Sequence, residues 1–320
     1  MSFPTGLKLP SEITVCEVAP RDGFQAENQW IPTEKKVAIV RKLADTGIKS
    51  IELTSFVHPK AIPQLKDAEE VVKACLDLEE KGIQFRALVP NEKGAQRAID
   101  AGIKKIKLML SATDSHSLSN ANSTTKEAID GFAPIIELAE KHQVKVGGSI
   151  SVAFGCPFEH KVPIHRLKKI IERYTEYGVY EISLADSAGM GNPKSVYETV
   201  GELRNVFPDV TFTMHLHNTR DMAVANAFAG MLQGITGFDS SIAALGGCPY
   251  IPNASGNLST EDFVHAVHEA GVKTGIDLDK LIQVAKDVKG IIGYDGGSYM
   301  MKAGPNYELH AKPKKQEKLG

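Results

Sequence analysis

The chain has 320 residues, 37 Lys+Arg against 39 Asp+Glu, and a formal net charge of −2. With 42% hydrophobic and 24% charged residues it has the make-up of a folded globular protein, which excludes a disordered chain and a small disulfide scaffold. The charge balance provides no net attraction to nucleic acid or to an anionic membrane.

No apolar run reaches the about 18 residues that a membrane helix needs. The opening MSFPTGLKLPSEITV lacks both the apolar stretch of a secretory signal and the Arg-rich character of a transit peptide. The four cysteines, Cys16, Cys75, Cys156 and Cys248, form no CxxC and no zinc spacing. A reduced, cytoplasmic setting is the expectation.

Taken from the N-terminus, eight short β-type runs alternate with longer stretches of helical periodicity. The first run, ITVCEV (13–18), leads into APRDGFQAE (19–27), where Arg21, Asp22 and Gln25 are polar and Gly23 permits a tight turn. Read alone, this is a turn with Asp22 capping the next helix. EKKVAIVRKLADTG (34–47) follows as an amphipathic helix that Gly47 closes. The second run, KSIELTS (49–55), sets Glu52 between Ile51 and Leu53, and a carboxylate facing inward there requires a partner. QFRALV (84–89), KIKLML (105–110) and KVGGSISVAF (145–154) are the next three, with a helix over AIDGFAPIIELAEKHQ (128–143) before the last of them.

The sixth run, YEISLA (180–185), continues into LADSAGMGNP (184–193) and places Asp186 at its C-terminal end. The seventh, VTFTMHLH (210–217), carries His215 and His217 two residues apart, so both imidazoles share one face of a strand. Two inward imidazoles in an apolar run are hard to satisfy by packing, which favours a metal site over a core role. The eighth, FDSSIAAL (238–245), opens into the glycine-rich LGGCPYIPNASGNLSTED (245–262), with Cys248, Asn253 and Asn257.

Strand–helix alternation implies parallel strands and right-handed crossovers. Eight units over about 250 residues predict an α/β fold, a (β/α)8 TIM barrel with extra C-terminal helices. An open doubly wound sheet is the rival, weakened because no GxGxxG follows the first run. Residues 1–320 read as a single domain: barrel 13–250, helices 258–293, and a basic tail 311–320 that reads as frayed. The helices include TEDFVHAVHEAG (260–271) and DLDKLIQVAKDVKGIIG (277–293). In such a barrel the reactive residues gather at strand C-terminal ends. Asp22, the two histidines and an Asn carbonyl from the last loop would leave open octahedral positions for a substrate. Cys248 on that loop reads equally as a small buried residue and as a functional thiol.

Six stretches carry a resemblance: EVAPRDGFQAE (17–27), IELTSFVHPKAIPQLKDA (51–68), FGCPFEHKV (154–162), EISLADSAGMGNP (181–193), HLHN (215–218) and ALGGCPYIPNASGNLSTED (244–262). Together they resemble the bacterial 3-hydroxy-3-methylglutaryl-CoA lyases, in a metal-dependent barrel superfamily that also holds isopropylmalate and homocitrate synthases. The resemblance implies a divalent cation, Mg²⁺ or Mn²⁺, on Asp22, His215, His217 and Asn257. It implies retro-Claisen cleavage to acetyl-CoA and acetoacetate. Arg21 would then stabilise the enolate oxygen, Cys248 would protonate the enolate carbon, and Glu52 would orient Arg21. Asp186 or His215 would move the hydroxyl proton, and Arg21 and Gln25 would meet substrate.

The chain departs from that pattern at the substrate mouth. The best-known branch follows the second His with Asp-Thr-Tyr-Gly-Gln, where this chain has Asn218-Thr219-Arg220-Asp221-Met222. The loop 111–124 lacks that branch's aromatic and lysine pattern. The acyl group is therefore open, with a citramalyl-CoA-like thioester as the alternative. Arg220 reads as a surface partner of Asp221, or else as an anion binder. No phosphate-cradling motif is legible, and Lys60, Lys93 and Lys107 are individually unremarkable. An acyl-CoA substrate and a homodimer are thus implied by the resemblance alone. Two further readings are a Claisen condensing enzyme and a catalytically silent metal-binding barrel.

Overall fold

Each of the eight apolar runs forms a strand. They are β1 (Thr14–Glu17), β2 (Ser50–Ser55), β3 (Gln84–Leu88), β4 (Lys105–Ser111), β5 (Lys145–Ser151), β6 (Glu181–Asp186), β7 (Thr211–Leu216) and β8 (Gly237–Ser240). All pair in parallel with their neighbours in chain order, and β8 closes on β1, so the sheet is a complete barrel rather than an open sheet. The computed structural model describes residue 6 and residues 8–247 and 256–309. Among these, no helix is long and apolar enough to cross a membrane.

Strand alternation sorts the side chains. Ile51, Leu53, Leu108, Leu184 and Met214 are buried and join one hydrophobic cluster with the surrounding helices. The first helix, Thr33–Asp45, contributes Ile39, Val40 and Leu43 to that cluster. Gly47 follows it at φ +98°, where an added Cβ would lie 2.2 Å from the Gly275 carbonyl oxygen, so only glycine fits. After β8, helices Thr260–Glu269, Leu278–Ile292 and Met300–Ala303 complete the described chain, and Leu278–Ile292 packs on the first helix.

Two expected elements are cut differently. The helix over 128–143 is two helices, Thr125–Asp130 and Ala133–Lys141. A Thr124–Glu127 capping box starts the first, and Pro134, which lacks an amide proton, falls at the start of the second. The eighth strand stops at Ser240 instead of running to 245. There Ser241 donates its N–H to Leu258 rather than to a barrel strand, and Ala243 and Ala244 adopt left-handed φ of +55° and +53°.

Candidate active site and metal centre

The C-terminal end of β1 passes directly into a π-helical turn, Ala19–Gly23. The Val18 carbonyl accepts from the amides of Arg21, Asp22 and Gly23. This wide turn places Arg21 and Asp22 side by side at the mouth, a common use of π geometry. Asp22 is not a helix cap, as the local sequence alone predicts. Its Oδ2 accepts from Asn257 Nδ2 at 2.7 Å, and its Oδ1 accepts from Arg21.

His215 ends near the top of β7 and His217 follows just beyond it, both buried. Their Nε2 atoms face each other at 3.1 Å, and Asp22 Oδ2 lies 3.8 Å from His215 Nε2. Among the described residues, Asp22, His215 and His217 form a group able to hold a metal ion, with ligand atoms within 4.8 Å of one another. Asn257 reaches them because residues 256–258 turn back antiparallel along 216–218. The Asn218 amide donates to the Gly256 carbonyl and the Leu258 amide to the Leu216 carbonyl. The Asn257 Nδ2 is used by Asp22 and by the Leu245 carbonyl, while its buried Oδ1 has no partner. A buried carbonyl oxygen without a donor is costly. A cation between the carboxylate, the two imidazoles and this oxygen would satisfy it, and the mixed O/N set suits a hard or borderline divalent ion.

Below the mouth, the barrel interior is ionic where such barrels usually carry aliphatic layers. Glu52 pairs in register with Arg86, and His215 with Asp239. Glu52 accepts from Arg21 Nε at 2.5 Å and from Arg86 Nε at 2.6 Å, and Lys107 Nζ lies 3.5 Å away. Asp239 takes Arg86 at 2.7 Å and Lys107 at 2.8 Å, and its Oδ2 lies 3.3 Å from His215 Nδ1. Burial alone would raise the carboxyls of Glu52 and Asp239. The guanidinium and ammonium groups around them outweigh it and hold both below the ordinary range. At Asp22, burial likewise pushes the pKa up, and Arg21, the two imidazoles and Asn257 turn the net shift downward. All three stay ionised. Arg86, Lys107 and Asp239 were not singled out by sequence; the signal was a charge at an inward position within an apolar run, the same one that marked Glu52.

The cavity above this layer is about 640 Å³ including its open mouth. Arg21, Asp22, Gln25, His215 and His217 all line it, which brings five of the expected residues together. Asp186 is not among its lining residues. Its carboxylate accepts from the Met190 and Gly191 amides, both at 2.9 Å, and burial raises its pKa to about 6. Ala185 and Ser187, its neighbours, face the cavity instead. Arg220 is not the partner of Asp221: its Nη1 donates to the carbonyls of Ala188 and Gly189, and Asn218 is the residue that bonds Asp221. Cys16, Cys75 and Cys156 are buried free thiols. Cys248 and Asn253 lie outside the described residues.

Two more carboxyls hold the turn below the last loop. Glu17 accepts from the amides of Ala19 and Ile242 and from the Thr260 hydroxyl. Glu261 accepts from the Ala243 amide and the Ser259 hydroxyl. Burial pushes them up to about 7 and about 8. Gly246, at φ +107°, leaves the space that Asn257 fills: a Cβ there would stand 2.3 Å from Asn257 Nδ2.

Comparison with known proteins places the chain in a family. The HMGL-like family model matches residues 12–288. The hydroxymethylglutaryl-CoA lyase of Bacillus subtilis is 40% identical over 284 residues, 89% of this chain and 94% of that protein. The (R)-citramalyl-CoA lyase of Chloroflexus aurantiacus is 36% identical over 306 residues, 92% of this chain and 96% of that protein. Among solved structures, an HMG-CoA lyase from Acinetobacter baumannii in complex with coenzyme A and 3-methylmalate superposes with a TM-score of 0.90. It is 40% identical, and the match covers 95% of this chain and 98% of that one.

Proposed function

The chain belongs to the HMGL-like family, and we propose that within it the protein is a hydroxymethylglutaryl-CoA lyase, a divalent-cation-dependent carbon–carbon lyase. The observation that carries this reading is the convergence of Arg21 with Asp22, His215 and His217 in one cavity at the barrel mouth, with Asn257 hydrogen-bonded to Asp22 and its Oδ1 left without a partner.

Asp22, His215, His217 and Asn257 would hold the cation, Mg²⁺ or Mn²⁺. When bound, it supplies Lewis-acid polarisation of substrate oxygens. The reaction is a retro-Claisen cleavage. The tertiary hydroxyl gives its proton to solvent water at the open mouth of the cavity, the C2–C3 electron pair passes to a thioester enolate, and acetoacetate is left behind. Arg21, held by Glu52 and Asp22, keeps its guanidinium at the cavity wall, where it stabilises the enolate oxygen. Cys248 then gives a proton to the enolate carbon, completing acetyl-CoA. Gln25 meets substrate at the same wall. Of the two expected proton carriers, His215 lines the cavity but directs Nε2 to the cation site, and Asp186 anchors the loop after β6. We therefore give His215 the ligand role and Asp186 a positioning one.

The three carboxylates Asp22, Glu52 and Asp239 face the three cations Arg21, Arg86 and Lys107. Their charges cancel, so a bound divalent ion leaves the centre net positive. That field favours an anionic acyl group. A second acyl group, citramalyl, is kept because a relative named for it matches 92% of the chain.

The test is acetyl-CoA release from 3-hydroxy-3-methylglutaryl-CoA with Mg²⁺ or Mn²⁺, then with EDTA, and in parallel from citramalyl-CoA. Metal-dependent turnover of the former in the range of about 1–10³ s⁻¹ is expected. Turnover of citramalyl-CoA alone would move the assignment to the second acyl group.

A further inference from the structure

Among the described residues, two of the buried polar atoms without a partner bear on this site. One is Asn257 Oδ1, on the cation side. The other is Nε2 of His116. His116 lies in the helix Asp114–Ala121 directly after β4, and its side chain lines the cavity. In a closed barrel of eight strands taken in chain order, β4 stands opposite β8. His116 is therefore across the cavity from Asp22, on the turn after β1, and from His215 and His217.

The imidazole is fixed. Its Nδ1 lies 2.7 Å from the hydroxyl of Ser111, the last residue of β4, and the residue is only 2% exposed. Burial lowers its pKa, so the ring is neutral. In the tautomer in which Ser111 donates to Nδ1, the single ring proton sits on Nε2, the nitrogen left without a partner. The wall around it is polar: Asn120, Ser149 and Ser151 also line the cavity there. A buried N–H left unpaired favours a ligand that brings an acceptor oxygen over one that brings only alkyl surface.

We propose that His116 is a specificity-determining residue whose Nε2–H receives the terminal carboxylate of the acyl group, at the end of the cavity remote from the cation. The ligand class is an acyl-CoA whose acyl part is a short dicarboxylate. This deepens the lyase reading and rests on it for the acyl-CoA class. It also gives the 111–124 loop a role: the loop holds the residue that inspects the acyl end.

The test measures binding, so it does not depend on cleavage. Mn²⁺-loaded protein is titrated calorimetrically with 3-hydroxyglutaryl-CoA and with 3-hydroxybutyryl-CoA, which lacks the terminal carboxylate. The wild-type protein is expected to prefer the former by about tenfold or more, the scale of a buried hydrogen bond to a charged group. His116→Phe is expected to abolish that preference, and His116→Gln, which can place an N–H near the same point, to restore part of it. Mn²⁺ affinity and Tm should hold in both variants, which a merely structural role would not allow. A preference within twofold of wild type in His116→Phe would overturn the proposal, as would no preference in the wild type. Loss of the preference in a protein that cleaves no 3-hydroxy-3-methylglutaryl-CoA would sink the lyase reading and leave His116 in place. Binding of neither thioester would overturn both.

Discussion

Asp239 Oδ2 lies 3.3 Å from Nδ1 of His215, while the Nε2 of the same ring faces His217. One strand over, the carboxylate thus fixes which nitrogen the ring turns to the cation site. Carboxylates behind metal-bound imidazoles orient the ring and raise its basicity, and their loss typically costs about 10–100-fold in metal affinity. Asp239→Asn should weaken Mn²⁺ binding by that order. It should also lower Tm, because Arg86 and Lys107 would lose a buried counter-charge. Calorimetric titration with Mn²⁺ and a thermal melt check the two effects separately. Unchanged affinity with a lowered Tm would make Asp239 a packing element only.

Arg21→Met should reduce kcat by on the order of 10³-fold, since the guanidinium is assigned to charge that develops only in the transition state. Burial of the Arg21–Glu52 pair also predicts a loss of stability. Glu52 keeps Arg86 and Lys107, so the protein should still fold. Single-turnover kinetics beside a melt distinguish a catalytic loss from unfolding.

Cys248→Ala should leave Tm and Mn²⁺ affinity unchanged and cut kcat by about 10²-fold or more, as for a lost general acid. A variant with nearly full kcat would remove the thiol from the reaction.

Gly246→Ala would put a Cβ at φ +107°, 2.3 Å from Asn257 Nδ2 and 3.4 Å from Asp22 Oδ2. The backbone cannot accept it without strain, and Asn257 has to move. Mn²⁺ affinity should fall about tenfold or more while the barrel's circular dichroism is retained. Affinity equal to wild type would show that Asn257 is not held by this contact.

Glu17 and Glu261 keep their protons to about pH 7 and about pH 8 in the folded protein, because burial penalises the charged form. Unfolded glutamates release theirs near pH 4. The folded state therefore binds more protons between those limits. Their contribution is fully present below the unfolded value and is lost as pH rises through about 7 and about 8. Glu52, Asp239 and Asp22 act the other way, since their lowered pKa values add stability that disappears only in acid. Glu261→Gln should flatten the fall of Tm between pH 5.5 and about 8.5, an effect on the order of a few kcal/mol at most. A slope identical to wild type would mean that the Glu261 carboxyl is ionised throughout.

The barrel was legible because all eight apolar runs were strands and the helices between them kept their periodicity. The histidine pair was legible for the same reason, two residues apart on an inward face. What the periodicity could not show was where an apolar run leaves the sheet. Ile242, Ala243 and Leu245 are as apolar as a strand, yet the amides of Ile242 and Ala243 go to the buried carboxyl groups of Glu17 and Glu261. Asp186 looked reactive from its place at a strand end, but strand parity turns it to the outer side, between Ala185 and Ser187. Arg86 and Lys107 share with Glu52 a charge inside a short apolar strand, a pattern that fits a solvated face equally well. Only barrel closure converts that face into an interior.

That closure has a consequence for assembly of the chain. Asp22 and Asn257 meet across 235 residues of sequence, and they do so only where β8 has docked on β1. A polypeptide that ends before β8 carries Asp22, His215 and His217 on a sheet with a missing stave, without Asn257. A cation is then taken up at full strength only by the finished ring, and uptake favours that ring by about 2.7 kcal/mol at a hundred times the dissociation constant. On the proposed ligand set, the ion would act as a latch between the two ends of the barrel, and its binding would report that the last strand is in place.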